Sequence, residues 1–170
     1  MTISVNNNSQ LSQVMSSIDL GPTQSVQFQF AKLQMAQAQL CKEQATSYMK
    51  QIEDIQAEQK KTAEMIARAR DLGNQAKAAN HVTAMPEDMK TFFKERGLSW
   101  GSQDDDAHNK DEWEYNVQSL TNYQESISNK TQTLMVYLQD FIGQYNSYTQ
   151  GASNQVSQGI QTLTAVATAR

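Results

Sequence analysis

Trp113, Leu120, Ile127, Leu134, Phe141 and Tyr148 stand seven residues apart without a slip. A second register, Val117, Gln124, Thr131, Leu138, Tyr145 and Ala152, follows each of them by four. An a/d seam of this length makes helices wind around one another. What flanks it is unusual. From Trp113 onward the charged residues are Glu114, Glu125, Lys130, Asp140 and Arg170 alone. A free-standing coiled coil carries Glu and Lys beside its seam, where they keep it soluble and choose its partner. Here those places hold Gln, Asn, Ser and Thr. Such a helix suits surroundings of other protein on several sides, so the seam points to assembly rather than catalysis.

Beyond Tyr148 the apolar positions pass to Ala152, Val156, Ile160, Leu163 and Val166, which predicts that the seam rotates around the helix. The stretch from Trp113 to Tyr148 is then expected to pair within the subunit, and the stretch after it to meet neighbouring subunits. The candidate interface residues are Trp113, Val117, Leu120, Ile127, Leu134, Leu138, Phe141, Tyr145, Tyr148, Val156, Ile160 and Leu163. Gly143, Gly151 and Gly159 recur inside the helix, each at a cost of about 1 kcal/mol relative to Ala. Two readings stand: close approach of another backbone, or a fraying end. The aromatic stripe of Tyr137, Phe141, Tyr145 and Tyr148 is likewise either packed between helices or a docking patch.

A second long helix is legible upstream. Val26, Phe28 and Phe30 alternate with Gln as in a strand, but the following residues settle on helical steps. Phe30, Leu33, Gln37 and Leu40 form one run; Tyr48, Ile52, Ile55, Gln59, Thr62, Ile66 and Ala69 form another, with a register shift of one near Cys41. No Gly or Pro interrupts Val26 to Leu72, and Ser25 or Thr23 supplies the N-cap. Gly73-Asn74 weakens the helix, and the Ala-rich stretch is compatible with a bent continuation to residue 80. Charges balance along it, and Glu64–Arg68 has the favourable i,i+4 order. The eight Met residues suit adaptable helix–helix packing or simply fill gaps.

Between the long helices lies an insert over 81–112. Pro86 at the first helical position, Glu87 and Asp88 in the first turn, Lys94 and Arg96 at the end and Gly97 beyond predict a short helix over 86–96. Its inner face is Met89, Phe92 and Phe93. The acidic loop around Asp104-Asp105-Asp106 turns the chain into the C-terminal helix, 113–170. Residues 1–24, rich in Asn, Ser and Gln, read as a disordered arm, with a short helix over Leu11–Ile18 as the alternative. The fold class expected is therefore all-α: two long antiparallel helices in a coiled-coil hairpin, a short insert with one small helix, and a disordered N-terminal arm.

Composition sharpens what this excludes. Mean hydropathy is −0.66, and Gly (7) and Pro (2) are scarce, which favours long amphipathic helices with narrow apolar stripes. Net charge is −4 with no clustered basic face, so nucleic acid is not an expected partner. No apolar run reaches the 18 residues or so of a membrane span, and stable membrane insertion is not expected. The N-terminus lacks the basic and apolar regions of a Sec-type signal. Any export would depend on another machine.

Catalytic and metal motifs are wanting. Counted from Asp104, the places where a calcium loop needs Gly and Glu hold Asn109 and Tyr115. His81 and His108 lack ligand-spaced partners. Cys41 reads as a small buried hydrophobe rather than a nucleophile. Neither enzyme activity, cofactor nor metal is expected.

Pro86-Glu87-Asp88 with the apolar residues after it, and Leu134-Met135-Val136-Tyr137-Leu138-Gln139-Asp140-Phe141 running on to Gln144-Tyr145-Asn146-Ser147-Tyr148, carry a family resemblance. In these, and in organisation over residues 25–170, the chain resembles EspA-type and SseB-type proteins, the secreted hydrophilic translocators of type III secretion systems. The resemblance implies export through a needle by an uncleaved N-terminal signal, so the 1–24 arm would be export-signal-like. It implies pairing with a small cytoplasmic chaperone before export. It further implies homo-polymerisation on the bacterial cell surface into a filament or needle-tip conduit that works with the needle and translocators. The alternative is a cytoplasmic helical chaperone or regulator that binds a single secretion partner.

Overall fold

The computed structural model describes residues 7–19, 25–79, 81–101 and 106–169. The elements run α1 (Asn7–Ser17), α2 (Val26–Ala79), β1 (Thr83–Ala84), α3 (Glu87–Glu95), β2 (Ala107–His108) and α4 (Lys110–Thr168). The expected fold class holds: α2 and α4 are the two long helices, and they pack extensively against each other. Composition favours a disordered arm, with a helix over Leu11–Ile18 as the alternative; residues 7–17 are helical. Residues 1–6 and 20–24, which include the candidate cap Thr23, lie outside the described residues, as do Asp104-Asp105.

Local chemistry sets the boundaries. Ser25 caps α2, its Oγ accepting from the Phe28 amide at 3.3 Å. Asn109 caps α4: its Oδ1 accepts from the amides of Asp111 (2.9 Å) and Glu112 (3.0 Å), while Glu112 accepts from the Asn109 amide at 2.7 Å. This reciprocal arrangement is a capping box and starts α4 at Lys110, three residues before Trp113. Pro86 is the N-cap of α3, with ψ 146°, rather than its first helical residue. Leu98 N–H donates to Phe93 O (2.9 Å) and Gly97 N–H to Lys94 O (3.2 Å), with Gly97 at φ 63°. That Schellman closure needs a left-handed residue, which Gly adopts without strain.

The chain divides into two compact units, Gln51–Leu134 and the pair Met1–Lys50, Met135–Arg170. In Gln51–Leu134, α2 and α4 run antiparallel with the insert laid upon them. Ile66, Ala69, Ala76, Met85, Met89, Phe92, Phe93, Trp113 and Leu120 form one buried hydrophobic cluster. Thr83 ties it together, accepting from Trp113 Nε1 at 2.7 Å and donating to Leu72 O at 3.1 Å. Two residues each of β1 and β2 pair antiparallel, Thr83 with His108 and Ala84 with Ala107. This ribbon has no sequence signature, because two-residue strands show no period.

Gly73 does not end α2, although its propensity suggests a break. A Cβ there would lie 3.0 Å from Trp113 Cβ, so the missing side chain lets the largest buried residue of α4 pack. The anticipated Glu64–Arg68 pair is also replaced. Arg68 grips both carboxylate oxygens of Asp88 on α3 instead, one of them at 3.2 Å. A bidentate guanidinium–carboxylate contact across elements outbids a pair along one helix.

In the unit of Met1–Lys50 and Met135–Arg170, α2 and α4 again run antiparallel. Tyr48 stacks on Phe141 with ring centroids 5.6 Å apart, and Cys41 faces Gln144. A Cβ on Gly151 would meet Gln34, and one on Gly159 would meet the Phe28 ring. Two of the three spaced glycines thus receive side chains of α2, while Gly143 has open space around it. The helix stays intact to Thr168, so fraying is not what these glycines do.

Candidate functional site

The sequence of α2 hides a heptad seam of its own. Ala31, Ala38, Ala45, Ile52, Gln59, Ile66 and Gly73 form one register, and Gln34, Cys41, Tyr48, Ile55, Thr62, Ala69 and Ala76 the other. Each of these is buried or half-buried. No register shift occurs at Cys41; the most buried places go to alanines, while Leu33 and Leu40 of the expected stripe are half-buried and Phe30 is 47% exposed. The physical reason is closeness: small residues let two helix backbones approach where large ones would hold them apart.

The facing seam on α4 is inward throughout. Trp113, Leu120, Ile127 and Leu134 are buried; Val117, Leu138, Phe141, Tyr145, Tyr148 and Val156 are half-buried. The two outliers among the candidate residues are Ile160 (53% exposed) and Leu163 (45% exposed). After Ala152 the inward line continues through Gln155 and Gly159, with Val156 half-buried beside it, and not through Ile160 or Leu163. The intrachain seam therefore does not rotate; the apolar pattern leaves it and turns outward. Trp113, Val117 and Leu120 are engaged in or against the cluster of Gln51–Leu134.

The two units differ in what they bury. In Met1–Lys50 and Met135–Arg170, the buried residues of α2 are Ala31, Ala36, Ala38, Cys41 and Ala45. Burying a methyl group yields far less than burying Leu or Phe, which contribute about 1.5–3 kcal/mol each. Meanwhile Val26, Phe30, Met35, Met49, Met135, Val136, Tyr137, Ile142, Ile160, Leu163 and Val166 are all exposed in this unit. In Gln51–Leu134 the exposed large hydrophobics are Val82 and Tyr115 among the described residues. The charge pattern is the inverse. The first unit carries only Asp19, Lys32, Lys42, Glu43, Lys50, Asp140 and Arg170 over its whole sequence.

Two grooves flank its helix pair. One, of about 310 Å³, is lined by Cys41, Tyr48, Phe141 and Tyr148, with Gln10 and Leu11 of α1 at its edge. Of the aromatic stripe, Phe141, Tyr145 and Tyr148 are thus half-buried against α2, while Tyr137 is 49% exposed. Cys41 is 7% exposed, and burial pushes its thiol pKa up, with Asp140 adding to the effect. The other groove, about 470 Å³, runs between Met35, Ala38 and Lys42 on α2 and Tyr145, Ala152 and Val156 on α4.

No cluster of three metal-ligating side chains occurs among the described residues, and no helix there is long and apolar enough to cross a membrane. The chain matches no protein-family model, no curated protein and no solved structure.

Proposed function

We propose that the chain is a self-assembling structural subunit of an extracellular type III secretion filament or needle-tip complex, forming a conduit for delivery to host cells. The observation that carries the assembly half is the contrast between the two units. One holds a buried core and cross-element ion pairs, while the other leaves large apolar side chains uncovered on an almost chargeless surface. A concentration of exposed large apolar side chains beside so few charges suits protein association. The type III context rests on the resemblance of the Pro86-Glu87-Asp88 and Leu134–Tyr148 segments. In that context the partners are further copies of the chain, a small cytoplasmic chaperone before export, and the needle and translocators outside.

Size measurements on purified protein across concentration, with negative-stain microscopy of the largest fraction, test the proposal. Rods that lengthen with concentration support it. A discrete dimer or heterodimer at every concentration would instead support the cytoplasmic chaperone or regulator.

A further inference from the structure

Within Gln51–Leu134, a groove of about 410 Å³ lies between α2 and α4. The half-buried Gly73 and Val117 form its floor, above the buried Ala69 and Trp113; Arg70, Asn74 and Lys77 rim it on α2, and Lys110, Glu114 and Gln118 on α4. Its chemistry is lopsided. Lys110 is paired with Glu114 at 3.0 Å, which leaves the groove's one carboxylate engaged. Arg70 and Lys77 make no ion pair among the described residues. They stand seven apart on α2, hence about 10 Å along one side of the groove. A chain of net charge −4 thus presents a local excess of positive charge over an apolar, small-residue floor.

We propose that this groove docks an acidic amphipathic helix of a partner protein. Carboxylates about two turns apart would meet Arg70 and Lys77, and small apolar residues between them would rest on the half-buried Gly73 and Val117. Gly73 has a structural part in this, since a Cβ there would press on Trp113 Cβ at 3.0 Å and part the helices beneath the groove. Two unpaired cations beside a small apolar floor suit a helix better than a phosphate backbone, which demands a longer basic track. The groove and the exposed apolar residues belong to different units, and its occupancy does not depend on self-assembly.

The test uses the full-length protein and two fluorescein-labelled amphipathic peptides, one with Glu at every seventh position and its twin with Lys there. Fluorescence anisotropy should show the Glu peptide binding, weakening as salt rises, and the Lys peptide not binding. The Arg70→Glu/Lys77→Glu variant should bind the Glu peptide at least ten-fold more weakly. The Lys60→Glu/Lys130→Glu variant changes charge equally outside the groove and should bind as the wild type does. Circular dichroism would show both variants folded, as expected for exposed positions. Absence of binding up to about 1 mM, equal binding of the two peptides or of a DNA duplex, or equal losses in both variants would overturn the proposal.

Discussion

Arg96 and Glu58 lie 38 residues apart and lock the insert onto α2. The Arg96 guanidinium grips both oxygens of the Glu58 carboxylate, one at 2.8 Å, while sitting 3.7 Å over the Phe92 ring. Tyr123 donates a further hydrogen bond to Glu58 at 3.0 Å, so α2, the C-cap of α3 and α4 converge on one carboxylate. Both charged side chains are mostly shielded, 15% and 22% exposed. Removing one partner then leaves a poorly solvated charge behind. Arg96→Ala should destabilise the protein by about 2 kcal/mol. Arg96→Lys should recover only part of that, because an ammonium cannot reproduce the two-pronged contact. Thermal melts of the three proteins at pH 7 check the order.

The same contact predicts an acid dependence. The hydrogen bond from Arg96 is the main influence holding the Glu58 carboxyl below its usual value. A lowered carboxylate pKa contributes stability above the unfolded value, about 4.3, and loses it as pH falls through the folded value. Wild-type protein should therefore lose stability below about pH 4 more steeply than Glu58→Gln, which should be weaker at pH 7 yet flatter with pH. Parallel curves for the two proteins would show that Glu58 does not carry this dependence.

Two glycines in long helices should respond oppositely to alanine. A Cβ added at Gly143 would have nothing within 4 Å of it, so Gly143→Ala should stabilise the monomer by up to about 1 kcal/mol. At Gly73 the new methyl would press on Trp113 Cβ at 3.0 Å, an atom fixed to the α4 backbone. Overpacking costs about 1–3 kcal/mol, so Gly73→Ala should lower stability. Denaturant midpoints read both signs directly.

Cys41 reports on α1. It lies beneath a groove edged by Gln10 and Leu11, with its thiol pKa raised by burial. Labelling by a thiol reagent at pH 8 should be several-fold slower than for free cysteine, since the thiolate is the reactive form. Deleting residues 1–19 should speed it. An unchanged rate would mean that α1 does not shield the groove.

Much of this architecture is legible in the sequence. The α4 seam from Trp113 to Tyr148 can be read directly because large residues mark its positions. The α2 seam between Phe30 and Leu40 misleads, because its true members there are Ala and Gln, which carry no hydrophobic signal. The same blindness hides the inward path through Gln155 and Gly159, and makes Ile160 and Leu163 look like its continuation. Gly73 looks like a breaker because its reason, Trp113, lies 40 residues further on. The clamp of Arg96 on Glu58 has no local signature at all. Hydrophobic spacing finds the candidate interface residues but cannot separate those used within the chain from those left outside.

That separation supplies the most direct test of assembly. Leu134 is buried (7% exposed), so a charge there would damage the fold and confuse the result. Ile160 and Leu163 are exposed, and Ile160→Asp/Leu163→Asp should leave monomer stability within about 0.5 kcal/mol of wild type. Sedimentation velocity over a hundred-fold range of concentration is the decisive measurement. Wild-type protein should shift to large species as concentration rises, and the double variant should remain monomeric. A wild type that stays monomeric throughout, or a variant that assembles equally well, would contradict assembly through this exposed face.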